Sequence, residues 1–269
     1  IQVNESVGNE RVLQEEHRPE PDRNIGTGQQ SSGSGIGTAN GNNARTIRTG
    51  DRQDDGRTVQ SVKNSNNLTI QPGETLAPRG DNAKIKANIE AIKIAKKLFE
   101  SGKPASQAQK DQLKKYTGWG GLSSVFKYDH PQYQTLKDLL TPDEYSSARE
   151  STTTAFFTPT EIVSDIWSMI ERMGFKGGNI LEPSAGIGHF FGLMPEGIKG
   201  VSNLRGIEMD NISGMILRAL YPDAKTNIEG YEDVNIPNNS LDLVVSNVPF
   251  GQFKLHDTNE KDLSQKFNI

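Results

Sequence analysis

Asn179-Ile180-Leu181-Glu182-Pro183-Ser184-Ala185-Gly186-Ile187-Gly188 is the stretch that decides the fold. A short apolar run ends in a carboxylate, turns on two glycines one residue apart, and leads into a helical pattern reaching about Met194. A strand, a tight glycine turn and a helix in that order bring backbone close to a bound ligand. A dinucleotide fingerprint requires a third glycine three residues after Gly188, and Phe191 stands there instead. The turn therefore matches a pyrophosphate poorly and suits a cofactor without phosphates, such as S-adenosyl-L-methionine. Glu182 is placed to meet that cofactor's ammonium, directly or through water, with Pro183, Ala185, Gly186 and Gly188 forming the turn around it. Taken alone, a plain strand-to-helix turn explains the same spacing.

The pattern repeats on both sides of this stretch. Leu204 to Glu208 reads as a second strand and Ile212 to Leu220 as a helix. Lys225 to Glu229 reads as a third strand, and Leu241 to Ser246 as a fourth and the most apolar. Strands alternating with helices predict an α/β fold with a parallel, doubly wound sheet. Glu208 closes the second strand, where an acid accepts hydrogen bonds from both ribose hydroxyls of a nucleoside cofactor. Upstream, Thr158-Pro159-Thr160-Glu161 has the pattern of a capping box with Pro at the first helical position. The helix it opens carries Ile162, Val163, Ile166, Ile170 and Met173 on one side.

Ser246-Asn247-Val248-Pro249-Phe250-Gly251 follows the fourth strand, on the sheet edge where ligands bind. An exocyclic adenine amine is a poor nucleophile, because its lone pair is delocalised into the ring. A catalyst must hold it with acceptors that strengthen as the nitrogen becomes tetrahedral and positive. The Asn247 amide oxygen and the Val248 backbone carbonyl, set by Pro249, suit that task. Phe250 suits stacking on a base extruded from its helix.

Asn247-Val248-Pro249-Phe250 resembles the Asn-Pro-Pro-Tyr/Phe signature of amino-methyltransferases, with Val248 in place of the first Pro. The backbone carbonyl is kept and the loop is relaxed. Phe156-Phe157-Thr158-Pro159 is similar to the segment that precedes the cofactor loop in the γ-type motif order. That resemblance implies that Phe157, Thr158 and Pro159 line the cofactor's methionine end. A closer likeness adds Tyr116-Thr117-Gly118-Trp119-Gly120-Gly121-Leu122 and covers residues 82 to 269. It resembles the large helicase–methyltransferase proteins of phages, plasmids and conjugative elements. The resemblance implies a Rossmann-like class I methyltransferase sheet, DNA as partner with adenine as the flipped target base, and site-specific methylation of adenine N6. It also implies a link to restriction-modification and further helicase and methyltransferase segments in a longer chain. Within Gly230-Tyr231-Glu232-Asp233 it places Glu232 or Asp233 near an adenine, although a solvated loop fits that tetrapeptide equally.

The preceding part of the chain divides by composition. Residues 1–80 hold few large apolar side chains, and Gly26 to Gly56 is rich in Gly, Ser, Asn and Gln. Such a stretch buries too little apolar area to offset chain entropy, so a disordered linker is expected. Residues 81–154 read as a helical region. Ile85, Ile89, Ile92, Ala95 and Phe99 fall at helical spacing before Gly102, and a second helix is expected over Ala105 to Tyr116. Further helices are expected from Pro131 to Leu140 and after Thr141-Pro142, with Thr141 as cap. Trp119 and Phe126 suit buried anchors or a base-stacking platform. Residues 155–269 then form the cofactor-binding domain, incomplete at its C-terminal side.

Bulk properties exclude several classes. The chain has 269 residues, 33% hydrophobic, and a net charge of −4, which argues against a generic nucleic-acid binder. Residues 81–155 nevertheless carry 12 Lys and Arg against 9 Asp and Glu. There is no Cys, and the four His are scattered, so no metal site is expected. No apolar run is long enough for a membrane span, and no secretory leader is visible, so the expected compartment is cytoplasmic. The absence of an initiator Met suggests a piece of a longer protein. Without later strands, Leu243, Val244 and Val245 would form an exposed apolar edge, and poor solubility and low activity are expected. Two other readings stay open: a methyltransferase acting on RNA or on a protein glutamine amide, and a non-catalytic cofactor- or DNA-binding module. A nicotinamide oxidoreductase fits least, because nothing in it accounts for Asn247 to Phe250.

Overall fold

Four short parallel strands and eight helices are built from residues 66–248, which the computed structural model describes. β1 (Asn179–Glu182), β2 (Asn203–Ile207), β3 (Lys225–Asn227) and β4 (Leu243–Val244) form one sheet in the order β3-β2-β1-β4. Ile180 faces Leu204 on one side and Leu243 on the other, and Gly206 faces Thr226. The chain therefore steps outward from β1 to β3 and returns across the sheet to β4. The order reverses at β1, and in open parallel sheets the crevice beyond the strand ends at such a point takes the ligand. Because all strands run the same way, Glu182, Glu208 and Asn247 all follow strands at one edge.

β1 has the expected bounds and β2 the expected length, one residue earlier, whereas β3 and β4 are shorter than expected. β4 keeps only Leu243–Val244 of the expected Leu241 to Ser246, although Val245 N–H still donates to the Leu181 carbonyl at 3.0 Å. The Asp242 carboxylate pins its start by accepting from Asn179 N–H at 2.7 Å. On the expected apolar edge, Val244 is exposed and Leu243 half-buried, but Val245 is buried against β1. Similarly, the helix expected up to Met194 is one turn, α6 (His189–Gly192), followed by an unforeseen short α7 (Glu196–Lys199). Pro195 between them cannot donate to a continuing helix.

The earlier helices are α1 (Asp81–Ser101), α2 (Gln107–Leu113), α3 (Tyr133–Leu139), α4 (Pro142–Glu150) and α5 (Thr160–Arg172), and α8 (Asn211–Leu220) lies between β2 and β3. α1 packs Ile85, Ile89, Ile92 and Ala95 inward, but Leu98 takes the position expected of Phe99, which is exposed. Thr141 and Glu144 form the capping box of α4, with Pro142 in its first turn. α2 is shorter than expected and starts at a Ser106–Gln109 capping box. No capping box forms at α5: Pro159 is the N-cap, without a side-chain bond. Nor is α5 buried along the expected stripe. Val163, Trp167 and Ile170 face the core, while Ile162 and Met173 face solvent. Trp167 anchors the helix by donating its indole N–H to the Phe190 carbonyl at 2.9 Å.

Helical region and sheet share one apolar core, with α1 packed directly on α8. Residues 66–80, placed in the linker by composition, belong to that core. Leu68 and Ile70 are buried, and their N–H groups donate to the carbonyls of Leu220 and Gly192. Burying two such side chains contributes about 1.5–3 kcal/mol each, which with the two backbone hydrogen bonds anchors a segment whose average composition is polar. The expected linker before residue 66 lies outside the described residues.

Candidate functional site

Two adjoining clefts open at the C-terminal strand edge, and Asn247 and Phe157 line both. The smaller, about 40 Å³, lies between Phe157, Thr158, Glu182, the Ser184–Ile187 turn, His189 and Asn247. The larger, about 130 Å³, runs from that turn past Glu208 and Asp210 to Trp119 and Val248. Distant parts of the chain thus meet here: the segment before α5, the turn after β1, the end of β2 and the loop after β4. Pro249 and Phe250 lie outside the described residues.

The turn after β1 is held by backbone and by Glu208. Ala185 N–H donates to the Ile207 carbonyl at 2.9 Å, which ties the turn to β2. Gly186 N–H donates to Glu208 Oε2 at 2.6 Å, and Asp210 N–H donates to Oε1 at 2.8 Å. Each carboxylate oxygen has a second lone pair, so a vicinal diol still finds two acceptors. Burial pushes the Glu208 carboxyl up to about 7, opposed by those backbone N–H groups. Glu182 is more deeply enclosed, and its Oε2 has no hydrogen-bond partner. Burial, followed by the charge of Glu208, raises its carboxyl well above the usual carboxylate range. Both strand-end carboxyls are biased toward the neutral form, and a cationic ligand would favour their ionised forms. An unpartnered carboxyl beside a diol-competent one fits the ammonium and ribose of S-adenosylmethionine.

Not every predicted residue reaches the clefts. Phe157 does, with its ring edge-on to His189 at 5.5 Å between centroids and over Gly186. Thr158 lines the smaller cleft, and its carbonyl lies 3.2 Å from His189 Nδ1. Pro159 starts α5 and Pro183 is half-buried in the turn, and neither lines a cleft. Gly188 has another task. With φ at 84°, its Cα lies so close to α8 that a Cβ would sit 2.5 Å from Tyr221 and 2.7 Å from Leu217. Its lack of a side chain serves this packing, and it lines neither cleft. Glu232 and Asp233, in an exposed turn after β3, line neither cleft.

The helical region supplies one wall, which sequence reading left undecided between packing and stacking. Trp119 is buried and meets Phe126 edge-on at 5.5 Å between centroids, so it is a packing anchor that also borders the larger cleft. Gly120 lets the 155–157 segment approach, since a Cβ there would lie 2.3 Å from the Ala155 carbonyl oxygen and 2.8 Å from Phe156. Asn88 of α1 holds the loop. Its Nδ2 donates to the Gly118 carbonyl at 2.6 Å, and its Oδ1 accepts from Thr117 N–H at 2.8 Å. The signal for Asn88 was present: an amide sits on the apolar stripe between Ile85 and Ile89. His189 and Ser184 carried no comparable signal.

Over 174 residues, 64% of this chain, the sequence is 31% identical to the Defense against restriction protein B of Escherichia phage P1. The chain spans about 6% of the length of that relative. No model of a known protein family matches the chain, and no solved structure matches it. Among the described residues no helix is long and apolar enough to cross a membrane.

Proposed function

We propose that this chain carries the cofactor pocket and catalytic asparagine of an S-adenosylmethionine-dependent methyltransferase acting on adenine N6 in DNA. The observation that carries this reading is the meeting of Asn247, Glu182, Glu208 and Phe157 around adjoining clefts at one parallel strand edge. The strand order β3-β2-β1-β4 corresponds to the first part of a Rossmann-like class I sheet. When bound, S-adenosylmethionine supplies an electrophilic methyl group on a sulfonium centre.

The chain's own residues do the remaining work. Glu208 offers its free lone pairs to the ribose hydroxyls, and Glu182 takes the ammonium. The Asn247 amide oxygen and the Val248 carbonyl accept the two N–H bonds of the target amine, drawing its lone pair out of the ring. Phe250 stacks on the extruded base. A relative named for defence against restriction supports DNA as substrate, because a methyl group on a recognition-site adenine blocks cleavage there.

The test is incubation of the chain with labelled S-adenosylmethionine and mixed-sequence DNA, beside Asn247→Ala. Label recovered as N6-methyladenine, and lost in the variant, is the expected result. Cofactor binding with label transferred to RNA or protein, or to nothing, would replace the DNA reading with one of its alternatives.

A further inference from the structure

Two residues lining the smaller cleft each bury a side-chain polar atom that nothing in the protein satisfies, and one of them lies outside every motif described above. His189 lines this cleft with Glu182; the residue is half-buried, and its Nε2 is enclosed and without a partner. The tautomer follows from the other nitrogen. Nδ1 faces the Thr158 carbonyl oxygen, which only accepts, so Nδ1 carries the proton. Burial lowers the imidazole's pKa, against the pull of that carbonyl, which favours the neutral ring. Nε2 therefore presents a lone pair. Tyr221, whose hydroxyl also lacks a partner, is not among the residues lining this cleft.

A carboxyl and an imidazole lone pair lining one cavity of about 40 Å³ ask for a compact donor with several N–H bonds. An unsatisfied buried acceptor is costly, and two in one cavity mark a place built for a ligand group rather than for packing. We propose that His189 Nε2 is the second acceptor, beside Glu182, for the α-ammonium at the methionine end of the cofactor. This assignment rests on the cofactor reading above and makes His189 a residue that discriminates for the amino-acid end. Edge contact with Phe157 and the bond to Thr158 fix the ring's orientation, so the segment before α5 acts on the ligand through His189 as well as directly.

Isosteric substitutions separate the two ring nitrogens. His189→Asn keeps a donor for the Thr158 carbonyl and removes the acceptor facing the cavity. His189→Gln keeps an acceptor near the position of Nε2 and gives up the Thr158 bond. Binding of S-adenosylmethionine and of methylthioadenosine, which lacks the amino-acid end, would be measured by calorimetry on the full chain and both variants. The expected result is a loss of about tenfold or more in S-adenosylmethionine affinity for His189→Asn. Methylthioadenosine affinity should stay unchanged, and His189→Gln should remain within a few-fold of the parent. Equal losses for both ligands would make His189 structural and overturn the assignment. So would a His189→Asn protein that binds S-adenosylmethionine normally, as expected if only water fills the cavity. A parent chain that binds neither ligand would overturn the cofactor reading itself, and this assignment with it.

Discussion

The two walls of the candidate site are built on opposite principles. On the helical side, the loop from Thr117 to Gly121 has its polar groups paired. Asn88 serves Gly118 and Thr117, and Gly121 N–H donates to the Thr152 carbonyl at 2.9 Å. On the strand-edge side, Glu182 Oε2 and His189 Nε2 belong to cleft-lining residues and are buried without partners, as are Ser246 Oγ, Thr226 Oγ1 and the Tyr221 hydroxyl away from the clefts, and the carboxyls of Glu182 and Glu208 are pushed upward. Buried polar groups in native proteins are nearly always satisfied, so two exceptions on residues of one small cleft indicate a ligand's place. One wall holds shape and the other is left incomplete, at a cost in stability that ligand binding would offset.

If that division holds, substitutions on the incomplete wall should change ligand behaviour, and those on the paired wall should change stability. Asn247→Ala gives the largest effect, a loss of about 100- to 1000-fold in methyl transfer, typical of removing one transition-state acceptor or donor. S-adenosylmethionine affinity should change little, as single-turnover rates beside calorimetry would show. Asn88→Ala should cost about 2–4 kcal/mol in a urea unfolding curve, because it leaves the Gly118 carbonyl and Thr117 N–H buried and unpaired. A loss below about 0.5 kcal/mol would break the comparison at its paired side.

Glu208→Gln tests the other side through pH. The folded carboxyl keeps its proton to about 7, whereas the unfolded chain releases it near 4.5. Between those values the unfolded state binds fewer protons, so parent stability falls as pH rises and levels off above 7. The variant lacks this slope. Its stability relative to the parent should rise by up to about 3 kcal/mol between pH 4.5 and 7.5, less because Glu208 is only half-buried. Cofactor affinity should fall at the same time. Chemical denaturation at both pH values measures the first effect, and a parent curve flat across this window would remove the argument for an electrostatically incomplete wall.

Gly188→Ala should destabilise by about 2 kcal/mol through the close approach of Tyr221 and Leu217. The folded fraction should keep its S-adenosylmethionine affinity, which equilibrium dialysis can test. Phe99→Gln should shift stability by under about 0.5 kcal/mol, since this side chain is exposed despite its place in the apolar pattern.

Local chemistry alone determined much of this protein. β1, its glycine turn, β2, α1, α8 and the cap of α4 all follow from residues within a few positions of one another. Pleat alternation, helical spacing and capping need no distant partner. The same locality placed Glu182 and Glu208 at strand ends, where a parallel sheet collects them. Composition misled where it was averaged: Leu68 and Ile70 order residues 66–80 by docking on Leu220 and Gly192. Periodicity misled on α5, because a helix face is buried only where another element covers it, and Ile162 and Met173 have none.

Tertiary structure alone decided the rest. Gly188 serves packing on α8, which depends on where Tyr221 arrives from 33 residues away. Trp119 is a wall anchor because Phe126 packs edge-on against it and the 155–157 segment lies against its neighbours Gly118 and Gly120. His189 becomes an acceptor only because Thr158 claims its other nitrogen and Glu182 shares its cavity. Sequence states which groups a chain carries. Whether a group is satisfied depends on what the fold brings within hydrogen-bond distance, and at this site the unsatisfied groups point to the ligand.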